Sequence, residues 1–332
     1  REEEGQGLRP NIGIRGATAE RSSNVTLMED GVLIAPAPYS NPAAYYFPTF
    51  KRMSSLEVLK GAPLLRYGPQ TTGGVINLIS TPIPDEQKGY VEAVTNERGS
   101  TDVHATYGDT NGDWGYLVET VQRSAQGFKD IDRSNRNSGF DISDYVGKLR
   151  WQGERQSVTA KLQYSEETSN STYVGLTDAD FNQDPNRRYG LSSPDQMDNT
   201  HSGVSLTHQF EWSDNVSSTT TLYRNDFKRN WYKLSGAGNI IDQANAGDAN
   251  AQGILDGTVD TSGLNYKNNA REYVSQGVQT NFDVNIGNHE FDFGARIHED
   301  EMDRFQPVDV YDQVNGSLVF QNSVAPTGSN NR

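Results

Sequence analysis

The sequence predicts a mainly β protein made of two unlike parts. As far as residue 84, short apolar runs are broken every few residues by glycine and proline. From residue 88 the texture changes to a strict alternation of apolar and polar residues, the period of a strand with one wet face. The joins between these alternating segments are tight and long by turns. That sorting is the habit of an antiparallel β-barrel in an outer membrane, with short turns at one rim and long loops at the other. We therefore divide the chain into residues 1–84 and residues 85–332.

In the first part, Ile12 and Ile14 alternate with Asn11, Gly13 and Arg15, as a short strand would. Residues 16–24 are a polar loop. Val25 to Met28 is a strand, Glu29-Asp30-Gly31 a turn with the Asp-Gly signal, and Val32 to Ala35 a strand. Residues 36–42 hold three prolines, so this loop is stiff and presents Tyr39 and Asn41 at low entropic cost. A helical turn fits within 43–55. Leu56 to Leu59 is a strand that Gly61 and Pro63 interrupt. Arg66-Tyr67-Gly68-Pro69 is a further turn, and Gly73-Gly74 allows a bend or a close backbone approach. Val75 to Ile79 is the last strand of this part, closed by Pro82 and Pro84.

In the second part the clearest alternation is Val274 to Ile286. Val274, Val278, Phe282, Val284 and Ile286 share one face, against Ser275, Gln279, Asn281, Asp283 and Asn285 on the other. Phe291, Phe293, Ala295 and Ile297 repeat it against Asp292, Arg296 and His298. We read about nine such strands, the antiparallel hairpin pattern of a membrane barrel. They cover 88–97, 101–109, 113–123, 141–152, 156–167, 201–212, 215–233, 270–287 and 289–300. The long joins are 124–140, 168–200 and 234–269, and only the first join on that rim, near 98–100, is short. Trp114, Trp151, Trp212 and Tyr164 stand near strand ends, where interfacial aromatic girdles form.

Composition narrows the function. The 332 residues are 33% hydrophobic, and no run approaches the ~18 apolar residues of a membrane helix. A barrel hides its apolar surface in alternate residues, so low hydropathy does not exclude the membrane. The net charge of −15 makes nucleic acid an unsuitable partner, since phosphates call for clustered Lys and Arg. The absence of cysteine excludes disulfides, thiolate metal sites and cysteine nucleophiles. The chain starts Arg-Glu-Glu-Glu, without an export signal, so a membrane reading implies a fragment.

No catalytic constellation is visible, and we expect neither an enzyme nor a bound cofactor or metal. The five histidines, His104, His201, His208, His289 and His298, lack helical metal-ligand spacing. Asp178, Asp180 and Asp184 have the rhythm of a calcium loop but not its glycine or terminal glutamate.

The stretch LEVLKGAPLLRYGPQTTGGVINLIS, with Ile14-Arg15-Gly16, Asp30-Gly31 and Ala37-Pro38-Tyr39 before it in order, resembles the plug domain of TonB-dependent outer-membrane receptors, and within them the ferric-dicitrate branch. The resemblance covers residues ~11–84 tightly and continues as a pattern of strands. It implies the C-terminal part of a plug at 1–84, followed by the first strands of a transmembrane barrel that closes with ~22 strands. It implies import of a ferric siderophore or ferric-citrate-like chelate across the outer membrane. TonB, with its inner-membrane energising complex, and outer-membrane lipid are the implied partners. The rivals are a passive porin-like channel and a soluble extracellular glycan-binding β protein.

The resemblance also places the ligand between the plug apex and the barrel wall. The candidates are Arg21, Ser22, Ser23, Tyr39, Ser40 and Asn41 from the apical loops. From the long loops and strand ends they are Arg187, Arg188, Tyr189, Arg229, Trp231 and Tyr232. Arginine and tyrosine suit anionic, oxygen-rich chelates. Asn41 and Asn24 stand where the ferric-citrate branch has Gln and Arg, so citrate itself does not follow. Arg15, Lys60 and Arg66 are the basic residues that the resemblance casts as a lock holding plug to barrel.

Overall fold

The computed structural model describes residues 5–61, 67, 68, 71 and 73–325. Residues 25–80 build a small four-stranded sheet from β1 (Val25–Glu29), β2 (Val32–Leu33), β3 (Met53–Leu59) and β4 (Gly74–Ser80), in the order β2-β1-β4-β3. The Asp-Gly turn between β1 and β2 has φ of 50° at Asp30 and 79° at Gly31, the two left-handed positions such a turn needs. β1 runs parallel to β4, and β3 antiparallel to it. A side chain on Gly73 would put its Cβ 2.6 Å from the Asn24 carbonyl oxygen, so glycine is required where the chain enters β4. Val25, Leu27, Ile34, Ile76 and Leu78 form the core of this unit. Ile12 and Ile14 pack against it from irregular backbone, not from the short strand their alternation suggested. Two apolar anchors are enough for a coil segment to dock. The helical turn expected within 43–55 is a single 3-10 turn at Phe50–Arg52.

The second part is one antiparallel sheet. Its strands are β5 (Lys88–Thr95), β6 (Ser100–Asn111), β7 (Trp114–Ala125), β9 (Phe140–Gln152), β10 (Gln156–Ser169), β12 (Gln196–Ser213), β13 (Val216–Ser235), β14 (Thr261–Ile286) and β15 (His289–Phe305). These are the nine segments the alternation marked. β12 and β14 begin earlier than expected, at Gln196 and Thr261. Their extensions, such as TSGLNYKNN at 261–269 with only Leu264 and Tyr266 apolar, carry too short an alternation for periodicity to report. After Pro307 the chain forms β16 (Val308–Val314) and β17 (Ser317–Val324), and β16 takes over from β15 as partner of the upper end of β14.

The two faces of this sheet differ. The face carrying Phe282, Phe291, Phe293 and Ile297 points away from the N-terminal unit, with Ile297 76% exposed. The opposite face bears Asp144, Lys161, Gln279, Arg296 and Asp300, all of which bond to the N-terminal unit. On β14 the apolar face runs from Val278 to Ile286, about 26 Å of strand at ~3.3 Å per residue. At a tilt of ~40° that is about 20 Å of height, comparable with the apolar band of a membrane barrel. No helix among the described residues is long and apolar enough to cross a membrane.

The long joins pack into a module of their own. It contains β8 (Asp130–Ile131) paired with β11 (Arg187–Arg188), α1 (Asp178–Gln183), α2 (Ala237–Asn245) and α3 (Ala249–Asp256). Val174, Tyr189, Leu191, Leu234, Leu255 and Tyr266 form its core. The sequence reading took these stretches for plain loops. The helices are short and strongly polar, so no long apolar stripe announced them.

Candidate functional site

Two levels of the seam between the N-terminal unit and the sheet concentrate charge. At the tight-turn level, Arg52 is 1% exposed and forms a double bond-pair with the Glu29 carboxylate, while its Nε donates to Asp144 Oδ2 at 2.9 Å. The Lys161 ammonium reaches Glu29 and, at 2.7 Å, Asp30. Lys148, directly across the strand pair from Lys161, donates to the Ser80 hydroxyl at 2.7 Å and the Thr81 carbonyl at 2.6 Å. Two lysines side by side would repel. Glu29 and Asp30, from the N-terminal unit, offset this. Burial alone would raise the Glu29 pKa, but Arg52 and Lys161 hold it well below the usual carboxylate range. Burial likewise opposes the Arg52 charge, and Glu29 and Asp144 more than restore it. Thr81, Glu119 and His104 extend the polar seam to β6 and β7.

At the long-loop level the picture reverses. The ladder sets Asn199, Arg229, Arg271 and Arg304 in one row across β12 to β15, on the face toward the N-terminal unit. Two residues further up, Trp231 takes the same face, and above it Lys233 stands opposite Lys267. Arg229 is 2% exposed, and none of its three guanidinium nitrogens meets a hydrogen-bond acceptor. Its guanidinium lies 3.7 Å from the centroid of the Tyr45 ring. Arg21 comes from the N-terminal unit to within 5.1 Å of Tyr45 and 5.5 Å of Trp231. The Lys233 ammonium sits between Tyr173 and Trp231, at 3.3 and 3.7 Å. The Trp231 indole N–H and the Arg271 Nε are also buried without an acceptor. Among the described residues, no carboxylate lies within salt-bridge distance of Arg229 or Arg271. Aromatic faces supply part of what the missing anions would.

The sequence candidates divide accordingly. Arg21, Arg229 and Trp231 come together in this cluster. Arg271, Lys233, Tyr45 and Tyr173 belong to it and escaped the sequence reading, although the register of β14 against β13 would have paired Arg271 with Arg229. Ser22 is fully buried and fixes the apical loop, accepting from Ile12 N and donating to Pro10 O. Ser23 closes its own turn onto Glu20 O. Tyr39 N and the Ser40 hydroxyl both donate to Asp300, at 2.8 and 2.5 Å, and Asn41 reaches the Met302 sulfur. His298 and Tyr223 continue this latch behind Asp300.

The remaining candidates serve architecture. Arg187 is spent on Asp132, Asp180 and Asp256, which ties the loop module together. Arg188 donates to the carbonyls of Pro185 and Arg187. Tyr189 is buried and donates to Asp180 at 2.6 Å. Tyr232 points to the opposite face of β13 and donates to Asp309. The ion pairs observed across the seam involve other residues than those the resemblance casts as a lock. Arg15 and Lys60 are exposed and form no ion pair among the described residues, and Arg66 lies outside them. Arg52, Glu29, Asp30, Lys161 and Asp144 form the ion pairs there. The pairs that cross the seam, Arg52 with Asp144 and Lys161 with Glu29 and Asp30, join residues more than ninety positions apart and leave no local signal.

Residues 2–75 match the model of the TonB-dependent Receptor Plug Domain. Residues 2–75 are thus recognised as a TonB-dependent receptor plug domain, and the chain is similar to TonB-dependent siderophore receptors. It is 24% identical over 195 residues to the probable TonB-dependent siderophore receptor PirA of Acinetobacter baumannii, a match covering 52% of this chain and 24% of that protein. Among solved structures, the unliganded ferric citrate transporter FecA superposes with a TM-score of 0.68 at 20% identity, covering 98% of this chain and 44% of the other. The ferric-catecholate import receptor Fiu of E. coli K12 gives 0.64 at 13% identity, over 92% and 53%. The chain thus spans about a quarter of that curated relative and about half of those structures. These receptors are transporters, not enzymes. The N-terminal unit is the plug, and the strands behind it are barrel wall.

Proposed function

We propose that this chain is part of an outer-membrane transporter that imports a ferric siderophore or a ferric-citrate-like chelate into the periplasm, energised by TonB. The observation that carries this reading is Arg229: a guanidinium buried between plug and wall, beside Arg271, Trp231 and Arg21, with no counter-charge. A buried cation without a partner is costly, and an anionic ligand that enters the seam removes the cost. The apical loop, latched to Asp300, forms the floor beside that place. A passive channel has no use for a plug fixed to its wall by buried ion pairs. A soluble glycan binder would not carry an apolar outer face such as that of β14 and β15. The test is iron-limited growth of a strain deleted for the full receptor gene, supplied in turn with citrate, catecholate and hydroxamate chelates of iron. Loss of growth on at least one is expected. Unchanged growth on all of them would remove the proposal.

A further inference from the structure

The Lys233 end of the charged cluster is held from behind by a carboxyl group. Asp195 is 1% exposed and stands just before Gln196, where β12 begins. Gln196 pairs with Tyr232, so the Leu234 N–H lies past the end of that ladder. Asp195 Oδ1 accepts from it at 3.2 Å, and Oδ2 accepts from Tyr173 N at 2.8 Å. Residues 171–176 are irregular, and among the described residues this is the one hydrogen bond that their backbone makes. A single buried side chain thus ties both partners of one contact. Leu234 follows Lys233 in β13, and Tyr173 carries the ring whose centroid lies 3.3 Å from the Lys233 ammonium. That ring meets Trp231 edge to face, with centroids 5.3 Å apart. Among the described residues Lys233 forms no salt bridge, so Asp195 places the ammonium without consuming its charge.

We propose that Asp195 is a positioning residue of the ligand site: it holds Tyr173 against Lys233 and so sets how that cation meets an anionic chelate. The inference rests on the reading of the cluster as the place where the chelate binds. A carboxyl group can serve two backbone N–H groups at once, one with each oxygen. Its charge then links the site to pH. Burial pushes the Asp195 carboxyl up to about 7, against the pull of the two N–H groups. Burial, helped by Arg229 and Arg21, draws the Lys233 ammonium down to about 8. The titratable and charged groups that face Asp195 are Lys233 of β13, Tyr266 of β14 and Arg136 of the 124–140 join. Those that face Lys233, besides Asp195, are Arg229, Arg21 and Lys267. Below pH 7 the carboxyl is neutral and the ammonium charged, which favours an incoming anion. Above it the carboxylate repels the anion, and beyond 8 the attraction of Lys233 is lost too. Affinity for an anionic chelate therefore falls as pH rises through this range.

The test measures binding of ferric citrate, a ferric tris-catecholate and a neutral ferric tris-hydroxamate to the full-length receptor in detergent, at pH 6 and pH 8.5. For each anionic chelate that the parent binds, Asp195→Ala should weaken binding at pH 6 by about tenfold or more. Asp195→Asn keeps one acceptor and should lose no more than about threefold. Tyr173→Ala should lose as much as Asp195→Ala, and the double variant no more than either, because the carboxyl acts through that ring. Between pH 6 and 8.5 the parent should lose at least about threefold more affinity than Asp195→Asn, a comparison from which the chelate's own titration cancels. Asp195→Ala binding as tightly as the parent overturns the inference. So do additive losses in the double variant, or equal pH slopes in the parent and Asp195→Asn. Where Asp195→Ala yields no folded receptor, those pH slopes decide. A parent that binds none of the three chelates sinks the proposed function and the inference together. A parent that binds only the neutral hydroxamate, or binds an anion with Asp195 indifferent, sinks only the inference.

Discussion

The lower and upper levels of the plug–wall seam both gather cations, and they treat them differently. Below, Lys148 and Lys161 face each other across β9 and β10, and the plug brings Glu29 and Asp30 to them. Above, Arg229 and Arg271 face each other across β13 and β14, and the plug brings Arg21 and Tyr45. Where a charge is there to hold two parts together, its partner is built into the chain. Where the partner is left out, the proposed function places an arriving anion. The contrast separates paired arginines from unpaired ones more sharply than burial does, since Arg52 and Arg229 are almost equally buried.

The largest expected effect tests the lower level. Arg52→Ala leaves Glu29 and Asp144 buried with one cation fewer, and it should destabilise the seated plug by about 3–5 kcal/mol. Urea-induced exposure of plug cysteine probes in the full receptor reads this directly. An effect under ~1 kcal/mol would mean the seam is held elsewhere. Arg229→Gln should do the reverse. Stability should change by no more than ~1 kcal/mol, because no ion pair is lost, whereas ligand affinity should fall about 10- to 100-fold, the worth of a charge-assisted bond. Fluorescence titration with the chelate found in the growth assay checks the second half, and urea the first. Loss of stability without loss of affinity would erase the distinction between the levels.

The smallest effect comes from pH and sets a seam carboxylate against a loop carboxylate. Glu29 has its folded pKa depressed, so its contribution is present above the unfolded value of ~4.3 and fades only in strong acid. Asp195, 1% exposed, accepts from Tyr173 N and Leu234 N at the base of the loop module, and burial pushes its pKa up to about 7. The groups around it are Ser192, Lys233, Tyr266 and Arg136. A raised carboxyl stabilises fully below its unfolded value of ~3.9, and that stability is lost as pH rises through 7. Between pH 6 and 8 the loop module should therefore loosen by about 1 kcal/mol, while the Glu29 contribution stays unchanged. Hydrogen exchange, corrected for intrinsic rates, should show it at 170–195 and not at 25–33. Asp195→Asn should flatten the trend.

The sequence made the wall legible because lipid on one side and water on the other force an alternation that needs no partner to be read. Phe282, Phe291 and Ile297 declared their face before any coordinates. The same logic explains the misses. Above the lipid, at 261–269, nothing enforces alternation, and β14 ran on unseen. Arg187 and Arg229 look alike in sequence, both near aromatics in or beside long loops. Only the fold shows that the first has three aspartates and the second none. Arg52 and Asp144 carried no mark, because the pairing of distant side chains is decided by docking.

The length of β14 has a consequence for how cargo is met. From Ile286 to Arg271 is about 50 Å of strand, or about 38 Å of height at ~40° tilt, against about 20 Å for the apolar stretch. The arginine row thus stands well above the hydrocarbon, in the aqueous zone outside. A solute would be caught there without ever tasting grease, in a field that dissolved salt can weaken. On the proposed function, capture and crossing would be separate acts, with a long descent between them.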